Sequence, residues 1–509
     1  MFYTIYKLYQ LVYIIKKFAN IYNEDTIVNE EYCNNLKESI LNAGCIGIKF
    51  SQWILSKMRS EPTENCLFAI EYFEDLFDNC PTHDWEIAKK TFYKTYKMNI
   101  NSIVKEDTIE LIASGSIGQI YYAELINPYV FEYFKIDTKT NKIRIHKKII
   151  NKVAIKIKHP KVNSEANIYT RIFRFLSYIQ KNQYIKKSFH LHFDFNDFID
   201  NIIQQIDLNN EMFNSNIIRK NFENNDCVYI PKVLFSSENV LISEYIKGEE
   251  FEDLTDYNQL KVSLNYIAII NKMCIVDNFV HGDLHHKNWK PLAMVNGDNN
   301  IKNYKIILYD LGICFKSEDK TFLRDLFDVF ESGDIKGLSK VVMRGIIKPG
   351  NSNLSEDDIR ELVINTVDTF QKKALDVINV TNNLNNALAK HNLKLSSSAL
   401  NLCIMFTLID HTLKKQNIVG GSVEPNHYYN VLKAKQLDLI AYCRVNNAYL
   451  DLIEYLEDKV KRHSEMNKDH LQIFVKRSKN SYLSLDAPSD TDSDTDSDTD
   501  SDTDSDTEL

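Results

Sequence analysis

Apolar residues recur at three- and four-residue spacing through YCNNLKESILNAGCIGIKFSQWILSKM and WEIAKKTFYKTYKM, the pattern of helices with one buried face. Residues 1–105 therefore read as mainly helical. From about 107 to 157 the period shortens towards two. TIELIASGSIGQIYYAEL reads as strand, Gly/Ser turn and strand, and KVAIKIKH as a further β-branched strand. Between them, residues 127–151 read as an inserted, extended hairpin. Helical spacing returns over about 161–224, and VYIPKVLFSSENVLISEYIKG then reads as two strands joined by a turn. Past about 256 the chain is helical again, apart from short apolar strands around NWKPLAM and YKIILYDLG, with 291–304 as a surface loop. Runs such as IRELVINTVDTFQKKALDVI and LNLCIMFTLIDHTLKK complete a helical region without chemistry of its own, His411 being a core or surface histidine. The order predicts a helical extension (1–105), a small β-containing lobe (106–250), a larger helical lobe (251–480) and a tail (481–509).

Composition adjusts that picture in two places. The 509 residues are 44% hydrophobic and 26% charged, with only 14 Gly and 9 Pro, which excludes a wholly disordered or Pro-rich chain. The net charge of −9 belongs to the end of the chain: residues 489–509 carry nine Asp and one Glu, leaving 61 basic against 60 acidic residues elsewhere. A near-neutral body gives no reason to expect nucleic acid as a partner. The SDTD repeat itself cannot bury anything and is expected to be disordered; its Ser/Thr–Asp pattern reads as a solubilising tail or an acidophilic-kinase substrate. The nine cysteines are scattered without a CxxC pair, as expected of thiols in a reducing, intracellular compartment. The first eighteen residues, MFYTIYKLYQLVYIIKKF, are interrupted by Lys7 and Gln10 and lack a cleavage site, so neither a membrane span nor a secretory signal is expected. They suit a first core helix or a helix in peripheral contact with a membrane.

Candidate chemistry concentrates in His281-Gly282-Asp283-Leu284-His285-His286-Lys287-Asn288. An Asp with an Asn five residues later is the spacing of a phosphotransferase loop: Asp283 orients or deprotonates a hydroxyl and the Asn288 carbonyl reaches Mg2+. Asp310, in Asp310-Leu311-Gly312 at the end of an apolar strand, supplies the second magnesium ligand. The same His-rich run also allows a dinuclear metal hydrolase or a solvated polar loop. Upstream, Lys156 in Val153-Ala154-Ile155-Lys156 is placed to pair the phosphates of a nucleotide and a helix carboxylate, for which Glu211 is the candidate. Ala113-Ser114-Gly115-Ser116-Ile117-Gly118-Gln119 lies where a phosphate-covering loop belongs, and Glu244-Tyr245-Ile246 where an adenine-binding hinge would run, through its backbone. Five signals in this order point to a nucleotide held with Mg2+.

These residues resemble the UbiB/ADCK atypical protein-kinase-like family over roughly residues 40–315. ASGSIGQ is similar to the family's alanine-rich loop, VAIKIKHP to V-A-V-K-V-Q-H-P, HGDLHHKN to H-x-D-x-H-x-x-N, and Asp310-Leu311-Gly312 to D-F-G. Lys49-Phe50-Ser51-Gln52 resembles the diagnostic K-x-G-Q, with Ser51 in place of Gly; Gln205-Ile206-Asp207 resembles E-x-D with one carboxylate missing. The resemblance implies an α+β, bilobal protein-kinase-like fold that binds ATP with magnesium. It implies an extension folded over the active site, bringing Lys49 and Gln52 near the nucleotide, with Asp207 the remaining acid of its motif. Gly115, where the family has Ala, is expected to loosen the loop. The acceptor, a protein or a small lipid-like molecule, and the oligomeric state stay open. So do two alternatives, a small-molecule phosphotransferase of the aminoglycoside-kinase kind and a nonenzymatic nucleotide-gated scaffold.

Overall fold

The computed structural model describes residues 2–23, 25–58, 63–73, 80–137, 142–180, 195–223, 225–295, 301–317, 319–332, 335–347, 352, 354–368, 383–384, 386–388, 390–391, 393–395 and 439–465. LNLCIMFTLIDHTLKK with His411, the part of IRELVINTVDTFQKKALDVI past Asp368, and the SDTD tail lie outside them.

Four helices open the chain: α1 (Phe2–Ile21), α2 (Glu30–Ala43), α3 (Cys45–Met58) and α4 (Glu64–Tyr72). Asn29 and Thr63 start α2 and α4 by accepting the amides of Tyr32 and Cys66, which would otherwise lack partners. Helix α5 (Trp85–Tyr96) follows and stops at Lys97, whose φ of 58° is left-handed. Among the described residues, no helix is long and apolar enough to cross a membrane.

Strands β1 (Glu110–Ser114), β2 (Gly118–Asp137) and β3 (Lys142–Lys158) come next, then helices α6 (Val162–Gln180), α7 (Phe195–Ile206) and α8 (Leu208–Asn221). Strands β4 (Val228–Tyr229), β5 (Val233–Ser236) and β6 (Val240–Glu244) follow. The first sheet is antiparallel in the order β1-β2-β3-β6-β5. The inserted segment forms the extended hairpin that its pattern suggests, β2 and β3 pairing from Gly118–Lys158 out to Asp137–Lys142. Pairing breaks between Glu124 and Tyr129, where Pro128 has no amide hydrogen and Leu125–Ile126 bond instead to Ile103–Val104.

Beyond the sheet lie α9 (Asp256–Asn271), a π-helical turn (Lys272–Asp277), β7 (Val280–His281), β8 (Trp289–Val295), β9 (Ile301–Leu308) and β10 (Cys314–Phe315). Helices α10 (Phe322–Ser332), α11 (Ile335–Gly345), α12 (Glu356–Asp368) and α13 (Leu450–Glu465) follow, with a short antiparallel pair of β11 (Ile346–Ile347) and β12 (Lys394–Leu395) among them. Two expectations change here. Segment 291–304 is not simply a surface loop, because Pro291–Val295 and Ile301–Tyr304 continue an antiparallel β8–β9 pair whose Trp289 and Tyr304 are buried. VYIPKVLFSSENVLISEYIKG holds three strands rather than two: β5 and β6 join the first sheet, while β4 pairs in parallel with β9.

Three buried clusters organise the described residues. The sheet packs Val153, Ile155 and Ile157 of β3 against Ala88 and Phe92 of α5, each buried branched side chain contributing about 1.5–3 kcal/mol. Alternation along β3 turns Lys156 to the opposite face. Helices α1–α3 share a second cluster with α6 and α7, and α9 to α13 a third.

Candidate active site

Lys156, Glu211 and Asp310 meet although the chain separates them widely. The Lys156 ammonium donates to Glu211 Oε2 at 2.7 Å and to Asp310 Oδ1 at 3.0 Å. Strand β3 supplies the lysine, the first turn of α8 the glutamate, and the end of β9 the aspartate. Asp207 caps α8 by accepting the Asn209 amide, so it fixes the helix that carries Glu211. Burial opposes the charge on Lys156, but Asp310 and Glu211 outweigh it and raise its pKa above the ordinary lysine value. Burial also pushes the Asp310 carboxyl up; Lys156, with Lys49 and His281, overcomes this and holds it well below the usual carboxylate range. Glu211 is pushed up by burial, against the attraction of Lys156. Asp310 adopts φ of 46°, a left-handed conformation rare for a residue with a side chain, and at Gly312 a Cβ would crowd Asp310 Oδ1 at 3.2 Å.

The HGDLHHKN loop is tied to this carboxylate through its backbone. His281 pairs with Cys314 across β7 and β10, Gly282 N donates to Ile313 O at 2.8 Å, and Tyr309 N donates to Asn288 O at 2.9 Å. His281 is fully buried: its Nε2 bonds Tyr309 O at 3.1 Å and its Nδ1 accepts the Asp283 amide at 3.2 Å. It therefore joins the two acidic segments and is not free to bind a metal. Asn288 Nδ2 donates to Asp283 O at 2.7 Å and lies 3.1 Å from His285 Nε2, which turns its Oδ1 the other way. His281 and His285 are structural partners that the motif alone did not separate from the reacting groups; only the buried geometry does.

The residues present fit a magnesium–nucleotide complex. Asn288 Oδ1 and the Asp310 carboxylate are hard oxygen donors of the kind Mg2+ takes when phosphate and water complete its shell. Among the described residues, no group of three or more His, Cys, Asp or Glu is placed to hold a metal, which a dinuclear hydrolase would need. In the 113–119 loop the amides of Ser116 and Ile117 have no acceptor among the described residues, whereas Gly115 N donates to Gly118 O at 3.0 Å. Two unengaged amides at the apex suit a phosphate. Gly115, expected to loosen the loop, has its carbonyl held as well, by His159 Nε2 at 2.8 Å. Ala113 is exposed, while Ser114 and Ile117 are buried. Gln119 points away from any phosphate: its amide binds both His83 backbone groups and the Tyr121 hydroxyl. At the hinge, the buried Glu244 carboxylate accepts from Tyr229 and Lys148, and the Ile246 carbonyl accepts from the Tyr309 hydroxyl at 2.9 Å, so that carbonyl is engaged within the protein.

The KFSQ helix reaches the same place. Ser116 Oγ donates to Gln52 Oε1 at 3.2 Å, both side chains buried. Lys49 lies close enough to Asp310 to contribute to its lowered pKa. Ser51, where the resemblance has glycine, is fully buried and donates to Gly47 O at 2.9 Å, so its hydroxyl is satisfied within α3. Asp207 is engaged at its own helix end; no bond joins it to Lys49.

Residues 144–343 match the family described as the ABC1 atypical kinase-like domain. A probable serine/threonine-protein kinase, abkC, of Dictyostelium discoideum is 26% identical over 326 residues, covering 61% of this chain and 42% of that protein. A probable protein kinase UbiB of Vibrio cholerae is 23% identical over 335 residues, covering 64% of this chain and 56% of that protein. A mitochondrial ABC1 family protein of Saccharomyces cerevisiae, YPL109C, is 28% identical over 272 residues, covering 50% and 39% respectively. The chain spans about half the length of the curated relatives it matches.

Proposed function

Because the chain belongs to the UbiB/ABC1 atypical kinase-like family, we propose that it binds ATP with Mg2+ and transfers or hydrolyses the γ-phosphate. The observation that carries this reading is the contact of Lys156 with both Glu211 and Asp310. In it, Lys156 orients the phosphates and Glu211 holds the lysine in place. Asn288 Oδ1 and Asp310 would hold the metal, which when bound neutralises charge on the phosphate oxygens. Asp283, braced by His281, orients the accepting hydroxyl or water. Ser116 and Ile117 offer their amides to phosphate, and Gln52 keeps the loop closed over it.

The acceptor belongs to the same proposal, a protein hydroxyl or a small lipid-like molecule. The Gln52–Ser116 contact favours this reading over a small-molecule kinase of the aminoglycoside type, because the helical extension carrying the KFSQ motif bonds directly to the loop. Phosphate release and Mg·ATP-dependent thermal stabilisation of the full chain test it. We expect Lys156→Ala to weaken nucleotide binding at least about tenfold, and Asp283→Asn to abolish turnover while preserving stabilisation. Stabilisation without turnover, equal in wild type and Asp283→Asn, would favour a nonenzymatic scaffold instead.

One surface bears on the acceptor. Helix α1 contains no acidic residue and exposes Phe2, Ile5, Tyr6 and Tyr9 on one face, with Lys16 a few turns on. An aromatic face with an exposed lysine and no acids supports contact with an anionic lipid surface.

A further inference from the structure

Residues 80–84, which lead into α5, bond to the 113–119 loop as a strap. Cys80 N donates to Ser114 O at 3.0 Å, and Gln119 grips His83 by accepting its amide at 2.5 Å. From that fixed point the His83 ring reaches His159, Nδ1 to Nδ1 at 3.0 Å, with the rings edge to face at 75°. His159 in turn touches Gly115 O through Nε2 at 2.8 Å.

Only one arrangement of protons satisfies this chain. A carbonyl accepts and never donates, so His159 carries its hydrogen on Nε2. Its Nδ1 is then an acceptor, and His83 donates from Nδ1. We propose that His83 and His159 are positioning residues which, as a neutral pair, hold the Gly115 carbonyl and so fix the loop with its Ser116 and Ile117 amides free for phosphate. This rests on the reading of that loop as a phosphate site. A proton added to His159 sets two N–H groups against each other unless His83 moves its own hydrogen to Nε2; either that shift or a proton added to His83 puts a hydrogen on a buried Nε2 with no acceptor among the described residues. Burial lowers both pKa values and keeps the pair neutral near pH 7. The groups facing it are few. Asp84 on the strap favours a charged His83. Lys158 on β3 is turned towards Asn163 and Glu238, Tyr121 on β2 reaches the strap through Gln119, and Cys80 is a buried thiol.

The test compares wild type, His159→Gln, His159→Leu and His83→Phe, each checked for folding by thermal denaturation. Binding of a fluorescent Mg·ATP analogue is followed from about pH 7.5 to about pH 5.5, across the imidazole range. Glutamine places a non-titrating donor near Nε2. We therefore expect His159→Gln to bind within about twofold of wild type at the upper pH and to lose less affinity on acidification. His159→Leu and His83→Phe should bind about three- to tenfold more weakly at the upper pH. Spectra of 15N-histidine protein should show His159 protonated on Nε2 and His83 on Nδ1 irrespective of nucleotide. Leucine and phenylalanine variants that bind like wild type, or the opposite tautomers, would overturn the positioning role. Failure of wild type to bind at any pH would overturn the phosphate-site reading, leaving the tautomers to judge the pair.

Discussion

Gly118 begins β2 directly after the phosphate-loop apex, and its lack of a side chain has a local cause. A Cβ there would lie 2.6 Å from Ile157 O and 3.1 Å from its carbonyl carbon, backbone atoms of the paired strand that cannot swing aside. Gly118→Ala should therefore cost roughly 1–3 kcal/mol, seen as a lowered midpoint in urea unfolding, by overpacking the loop's exit. An unchanged midpoint would mean that β2 and β3 can separate without cost. At this scale the sequence was most informative about charged residues at motif spacing. Lys156 and Glu211 stand in contact as their order suggested, because motif spacing reflects where strands and helices end. It was least informative about polar side chains serving the protein itself. Gln119 and Glu244 sit within candidate binding segments, but their side chains are satisfied by His83, Tyr229 and Lys148, and composition carries no trace of such partnerships.

Elements add constraints that no single residue shows. The π-helical turn Lys272–Asp277 leads directly into β7 and the HGDLHHKN loop, and an ion cluster around the buried Lys272 pins it. Lys272 Nζ donates to Asp277 Oδ1 at 2.8 Å and to Asp451 Oδ2 of α13 at 2.6 Å. Burial raises Asp277 to about 6, against the pull of Lys272, and its Oδ2 has no partner among the described residues. A carboxyl whose folded pKa lies above its unfolded value binds its proton more tightly when folded. Its contribution is therefore most favourable below about pH 4 and is lost as pH rises towards about 6. Asp277→Asn removes that slope and keeps Asp451 for Lys272, so its stability relative to wild type should rise between about pH 4 and about pH 6.5 in chemical unfolding. Parallel curves would show that Asp277 is not titrating there. At the other end of the chain, α1 gives an element-scale test of the lipid reading. Replacing both Phe2 and Tyr9 with Ser should reduce cosedimentation with anionic vesicles severalfold without altering the core face of α1, and neutral vesicles should bind less than anionic ones. Equal sedimentation of wild type and variant would remove that face as the contact.

At the scale of the molecule, the helical extension is part of the body that carries the site. Phe50, inside the KFSQ motif, packs at a tilt against Phe173 of α6, ring centroids 4.8 Å apart, and meets Phe198 of α7 edge-on at 5.2 Å. Ile117 of the loop belongs to the same buried cluster, which takes in α1, α2, α3, α6 and α7, while the sheet closes its own core with α5. Apolar periodicity revealed that each of these helices has a buried face, but a face does not name its partner, so the pairing of α3 with helices over a hundred residues later was not legible. The alternation along β3 was legible, because strand period fixes which side each residue takes whatever it packs against. The shared cluster has a consequence for dynamics. If α3 lifts from the loop, Phe50 leaves a cavity that α6 and α7 line, so these helices should open together as one cooperative unit. Native-state hydrogen exchange of the full chain should give α3, α6 and α7 a common opening free energy. Phe50→Ala, which removes about 3–5 kcal/mol of packing, should speed exchange in all three while leaving β3 and β6 protected. Faster exchange confined to α3 would mean that the extension moves as a separate lid. Its hold on Ser116 would then be reversible during turnover rather than a fixed part of the site.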